Sequence, residues 1–352
     1  MLILGLTSRY PRVRWLLAAA LCGASALSQP PAKVWTIDLS ADKDFRNRLS
    51  IAEVSLSPPH VSFISGSEII CDFYSEEEVG FYPSLRDQRF HVLEVDAQTG
   101  ELGNKIDFPS MDDHAASFPA ADGGFVVLAG EELRKFSSSF VPGASYPTPL
   151  SKVNQPPDVW SLDSAPGENE VLLYHRYEKT SAEFLWLRTD DLSIIRKSPT
   201  DVHLVVRASN IVAITEKTKC NKCVSYFLSD DMLLLDKGSR YSIETIHGEK
   251  RGSGGLDSGI DDFARSNHSQ RVAYMTGHFK GHGLLYKTNF DSLTGRIVVL
   301  DWGANKEVAQ LKLDEPAGNP SDGLSQSALA LSPDGKYLAV LLHHTLTCYR
   351  LP

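Results

Sequence analysis

The sequence predicts an all-β fold, a β-propeller of four-stranded antiparallel blades, on three observations. Short β-rich runs alternate with polar or Gly-containing turns along almost the whole chain. Hairpins of this kind recur in pairs at a spacing of roughly 40–50 residues, the rhythm of propeller blades. Beyond the N-terminus, apolar stripes of helical period longer than two turns are missing.

The first hairpins of successive units lie at 60–74, 117–128, 159–174, 224–235 and 328–342. Each has apolar and β-branched residues on both arms and a turn of Gly, Ser, Asp or Asn between them, residue types that suit turns and, for Gly, Asn and Asp, tolerate positive φ. A second hairpin follows several of these, as at 90–108, turning at Asp96-Ala97-Gln98-Thr99-Gly100-Glu101, and at 296–311, turning at Gly303-Ala304-Asn305-Lys306. Two hairpins in tandem make one four-stranded blade. Five first hairpins plus less regular units near 201–220 and 257–290 give an expectation of seven blades, with six to eight compatible with the spacing.

The turn Ser332-Pro333-Asp334-Gly335, set between a small-apolar strand and the run Tyr337-Leu338-Ala339-Val340, resembles the WD40-like and YVTN-type repeats of bacterial propellers. The segment 92–101, VLEVDAQTGE, is similar to their third strand and its outgoing turn. The resemblance covers most of the chain, with one good copy and several degenerate ones. The Gly-His and Trp-Asp marks of strict WD40 repeats are missing, and Asp301-Trp302 reverses the second. In such proteins an N-terminal strand completes the last blade. Here the lone strand at 33–39 is the candidate, because the chain ends after about three strands of its final unit. A pair of β-sandwiches joined near Pro156-Pro157 would share the strands and turns but explains neither the spacing nor the lone first strand.

Residues 1–28 are expected to be a signal peptide. Arg9, Arg12 and Arg14 precede an uncharged, mostly apolar run at 15–27, and Ala24-Ser25-Ala26 offers a small-x-small cleavage pattern. As a helix that run would span only about 20 Å against roughly 30 Å of hydrocarbon, so a cleaved signal fits better than an anchor. Cys22 invites a lipoprotein reading, but Leu21 stands before it where a small residue is wanted. The remaining 29–352 is expected to be one propeller domain, secreted or periplasmic, with no membrane span.

Formal net charge is −9, and removing 1–28 takes away three Arg and no acid, leaving −12. An acidic balance argues against nucleic acid and anionic lipid as partners. The 15 Phe, 12 Tyr and 5 Trp supply enough apolar area for a core and argue against disorder.

No motif establishes chemistry. Cys220-Asn221-Lys222-Cys223 lies among β-rich segments rather than at the start of a helix, which disfavours a redox pair. Val224 stands where haem attachment needs His, and zinc would need further ligands. In an oxidising compartment a disulfide is the expectation for Cys220 and Cys223, closed locally or with each pairing elsewhere. Cys71 and Cys348 belong to the first and last units, which ring closure makes neighbours. They are a candidate seam disulfide, with two buried free thiols as the alternative. His278 and His282 have HxxxH spacing, but the surrounding glycines favour a loop. His343-His344 stand at a strand end, where neighbours point to opposite faces. Asp257, Asp261 and Asp262 suggest a calcium loop, yet lack acids at every second position and a terminal Glu. Asn267-His268-Ser269 matches a glycosylation sequon.

No catalytic, cofactor-binding or metal-ligating residue is therefore singled out. The expected function is an exported, non-catalytic scaffold for a protein, peptide or glycan. The alternative is an extracytoplasmic propeller enzyme, a lactonase, lyase or hydrolase, with a metal in the central channel.

Overall fold

The computed structural model describes residues 30–46, 59–78, 86–109, 115–149, 159–164, 169–176, 181–201, 223–229, 231–245, 247–282, 289–316 and 327–352. Strand β1 (Ala32–Asp38) is followed by a 3-10 turn at Leu39–Ala41 and a four-residue helix, α1 (Lys43–Arg46). The first blade is β2 (His60–Phe63), β3 (Glu68–Glu78), β4 (Arg86–Asp96) and β5 (Leu102–Pro109). The second is β6 (Ala116–Pro119), β7 (Phe125–Ala129), β8 (Glu132–Phe136) and β9 (Pro142–Pro147). The third is β10 (Val159–Ser164), β11 (Glu170–Arg176), β12 (Ser181–Arg188) and β13 (Ile194–Asp201). The fourth is β14 (Val224–Ser229), β15 (Met232–Asp236), β16 (Arg240–Thr245) and β17 (Lys250–Gly255). The fifth is β18 (Asp262–Arg265), β19 (Arg271–His282), β20 (Asn289–Asp301) and β21 (Lys306–Pro316). The last holds β22 (Ser327–Leu331), β23 (Tyr337–Leu342) and β24 (Thr345–Arg350). Every blade is an antiparallel meander except the last, whose order is β22, β23, β24, β1.

Six blades stand among the described residues, not the seven expected. The unit near 257–290 and the hairpin at 296–311 are successive parts of one blade, β18 to β21. Of the irregular stretch near 201–220, residues 202–222 lie outside the described residues. Residues 1–28, expected as a signal peptide, also lie outside them. Among the described residues no helix is long and apolar enough to cross a membrane.

Strand alternation explains how the blades pack. On β3, Ile69, Cys71 and Phe73 join a buried cluster with Ala328, Ala330, Leu341 and Leu346 of the last blade. The alternate residues Ile70 and Tyr74 join Phe125, Val127 and Phe136 of the second blade. The same division recurs where Phe118 and Leu128 meet Val171 and Leu185, and where Tyr226 and Ile243 meet Tyr274 and Val298. It recurs again where Ala273 and Val299 meet Leu329 and Val340. Central strands buried on both faces need near-continuous apolar runs, such as Phe125-Val126-Val127-Leu128.

Turn chemistry follows the sequence. In the Ser332-Pro333-Asp334-Gly335 turn, the Ser332 hydroxyl donates to Asp334 at 2.7 Å and accepts the backbone N–H of Tyr337 at 2.9 Å. Gly335 sits at φ 69°, the left-handed region that glycine enters without cost.

The first and last blades meet at a seam that the N-terminal segment spans. Strand β1 pairs antiparallel with β24, Ala32 opposite Arg350 and Asp38 opposite Thr345. From β1, Trp35 reaches the first blade and donates its indole N–H to the carbonyl of Ala97 at 2.8 Å. Leu39 and Phe45 are fully buried in the seam cluster, and the Phe45 ring meets Phe73 edge-on at 4.8 Å. Gly100 faces the same contact. Its φ is 79°, and a Cβ there would lie 3.0 Å from both Trp35 and Ile37. Gly100→Ala should therefore destabilise the protein by about 1–3 kcal/mol in urea unfolding, through backbone strain plus displacement of Trp35. Gly66→Ala, where a Cβ meets nothing within 4 Å, should stay within about 0.5 kcal/mol.

Candidate functional site

The innermost strands β2, β6, β10, β14, β18 and β22 run in one sense around the ring, so their first residues share one face. This face gathers His60 at the start of β2, Asp262 at the start of β18 and Asp261 just before it. Asp72 lies opposite His60 on β3.

Asp72 is buried and holds the first two blades together. One carboxylate oxygen accepts the backbone N–H of His60 at 3.1 Å. The other accepts the hydroxyl of Ser117 at 2.5 Å and its backbone N–H at 3.1 Å, both from β6 of the next blade. Burial pushes the Asp72 carboxyl above its ordinary range, while a positive charge on His60 and the Ser117 donors pull it back. Asp236 on β15 does the same work for the fourth and fifth blades, accepting the backbone N–H of Ile260 at 2.8 Å and that of Gly238 at 2.7 Å.

Asp262 is less completely matched. One carboxylate oxygen accepts the N–H of Phe263 at 2.7 Å, and the other is enclosed without a hydrogen-bond partner among the described residues. Burial pushes this carboxyl up to about 6, and nearby Asp261 adds to the rise. The Phe263 and Leu329 N–H groups and the charge of His60 act in the opposite direction. Asp257, Asp261 and Asp262, which lack a calcium-loop pattern in sequence, do not come together as one cluster among the described residues. Asp257 pairs instead with Arg296 at 2.8 Å, and Asp261 donates its backbone N–H to Met275.

A second constellation lies in the seam. His91 on β4 stands opposite Asp107 on β5, and its Nδ1 is 2.7 Å from that carboxylate. Its Nε2 is 2.6 Å from the hydroxyl of Ser75, and its ring stacks on Phe73 at 4.9 Å. This order of hydroxyl, imidazole and carboxylate is that of a nucleophilic triad. Ser75 and His91, however, are each only 1% exposed. Asp44, His91 and Asp107 also bring three ligand atoms within 4.8 Å of one another. A cation already serves this acidic cluster, since the ammonium of Lys105 lies 2.5 Å from Asp44 and 2.9 Å from Asp42.

The cysteine expectations divide. Cys71 and Cys348 are both buried free thiols, the alternative to the candidate seam disulfide. Burial raises the Cys348 thiol to about 12, keeping it protonated and unreactive. Cys223 is half-buried just before β14, and Cys220 lies outside the described residues. His278 and His282 fall within strand β19, correcting the expectation of a loop: long pairing with β20 overrides the glycines between them. His343 takes φ 55° in the turn between β23 and β24.

The seam triad was not singled out from sequence, and Asp262 was noted only with Asp257 and Asp261 as an acidic loop. The hairpin at 90–108 carried a signal for one pair, because its register sets His91 against Asp107. Nothing local marks Ser75, or Asp44 across the seam.

No protein family matches the sequence, and no curated protein matches it. The architecture is that of a β-propeller of four-stranded antiparallel blades. The WD40 domain of Neurospora crassa Pan2 aligns over 92% of this chain and 96% of that one, with 10% identity and a TM-score of 0.44. The C-terminal WD40 domain of Sif2 aligns over 93% of this chain and all of that one, with 9% identity and a TM-score of 0.44. A chain of a mitotic checkpoint complex aligns over 93% of this propeller and 98% of its own length, with 13% identity and a TM-score of 0.41.

Asp262 gives a pH signature. Its native value lies above the unfolded value of 3.8, so between pH 4 and 6 the native state binds more protons and stability falls as pH rises. Asp262→Asn should leave stability unchanged near pH 4. It should gain on the wild type up to pH 6–7, by about 1.4 kcal/mol per pKa unit, in urea titrations across that range.

Proposed function

We propose that this chain is an exported, non-catalytic binding scaffold for a protein or peptide, its ring closed by its own opening strand. The observation that carries the non-catalytic reading is the state of the one triad-like constellation. Ser75 and His91 are shut between the first and last blades, where no substrate reaches the hydroxyl. Their hydrogen bonds join three strands of the first blade, and Lys105 ties that blade to Asp42 and Asp44. Buried groups matched in this way rigidify a fold. Binding is then left to loops and turns carried on a stiff frame, the usual division of labour in such scaffolds.

Export is supported by the basic residues Arg9, Arg12 and Arg14 ahead of the apolar run at 15–27. The oxidising compartment that follows would close Cys220 and Cys223 into disulfide linkage. The −9 charge favours partners that are not themselves acidic.

The competing reading, a propeller enzyme with a metal in the channel, is favoured by Asp262. An enclosed, under-bonded carboxyl raised to about 6 is a candidate acid–base group. Metal analysis of the purified protein separates the two readings, since stoichiometric metal lost in Asp262→Asn would favour the enzyme.

A fluorophosphonate serine probe applied to the folded protein should leave Ser75 unlabelled, and peptide mapping that finds Ser75 modified would overturn the scaffold reading. Expressed with its own N-terminus in a secreting host, the chain should appear outside the cytoplasm beginning at Gln29. An unprocessed cytoplasmic product would contradict export.

A further inference from the structure

The first two blades leave a groove between them on the same face as His60 and Asp262. It encloses about 550 Å³ and is lined by Phe108 and Pro109 at the end of β5, the turn from Ala129 to Glu132, and Ser145 and Pro147 of β9. That volume lies within the range of sites that take a small molecule or a few side chains, about 300–1,000 Å³.

We propose that this groove is the peptide-binding site, taking a segment with a Lys or Arg side chain next to an apolar one. This rests on the scaffold reading above and names its site and partner class.

Charge and shape select that occupant. Glu131 is exposed, and among the described residues its side chain has no hydrogen bond or ion pair. Glu132 beside it is held by Arg134, so one carboxylate is committed and the other is available. Among the described residues no Lys or Arg lines the groove. A basic side chain would find an unmatched negative charge at the turn, while an acidic one would meet repulsion.

The opposite wall is apolar and fixed. Phe108 packs edge-on against Phe136 at 5.9 Å and lies 6.4 Å from Phe90, so its ring is held from behind. A held aromatic face takes an apolar side chain, or the guanidinium of Arg over its plane. Pro109 and Pro147 add rigid apolar surface that costs little conformational entropy on binding. Gly130 at φ 62° sets the turn that carries Glu131.

The test is selection of a displayed random-peptide library on the intact chain. Enriched peptides are synthesised and their affinities measured by fluorescence anisotropy. Glu131→Lys reverses the free charge at an exposed position, and Ser145→Trp fills the groove; melting curves verify that both fold. The expected result is a shared Lys or Arg beside an apolar residue, with binding weakened at least about tenfold in both variants. Peptides bound equally by wild type and both variants would overturn the groove and leave the scaffold reading standing. An acidic or uncharged consensus would overturn the proposed charge recognition. Failure to enrich any peptide, with glycans or a second copy of the chain bound instead, would sink both readings.

Discussion

The structure depends on the contact between its two chain ends. Strand β1 is hydrogen-bonded beside β24 in the last blade, while Trp35, Leu39 and Phe45 bury themselves against the first. A meander of sheets presents an open edge and an open apolar face at each end, and both are costly to leave in water. Here the same short segment covers the edge of one blade and part of the face of its neighbour. It pairs with β24 across the longest sequence separation among the described strands.

The interfaces between sequential blades hold apolar clusters in which alternate residues of each strand serve opposite neighbours, and Asp72 and Asp236 add carboxylate hydrogen bonds across two of them. The seam has such a cluster, but its outer part is polar. Ser75, His91 and Asp107 form one chain of hydrogen bonds, and Lys105 joins β5 to Asp42 and Asp44 beside α1. Directional, charge-assisted bonds specify one arrangement where apolar packing alone tolerates several. That explains how a constellation shaped like a catalytic triad can arise from the demands of a fold.

Much of this architecture was legible in the sequence, and the residues show why. Hairpin registers come from local alternation and turn chemistry, so Asp96 and Gly100, or Ser332 and Gly335, announced themselves. The strand at 33–39 was isolated in sequence, and its pairing with β24 follows from that isolation. Blade number was harder to read, because the spacing of the hairpins was compatible with six to eight units. Site residues were hardest. Asp262 acquires its raised pKa chiefly from burial, which nothing in the local sequence marks, and Ser75 meets His91 through a β-ladder. Cys71 and Cys348 were correctly placed at the two ends of the ring. Both are buried free thiols.

The most direct test of the seam is amide hydrogen exchange on the intact protein. Amides that β1 and β24 share should exchange as slowly as those between β3 and β4, since opening the seam would require opening the ring. Rapid exchange in β1 and β24, at the rate of a frayed edge with the other blades still protected, would contradict the account.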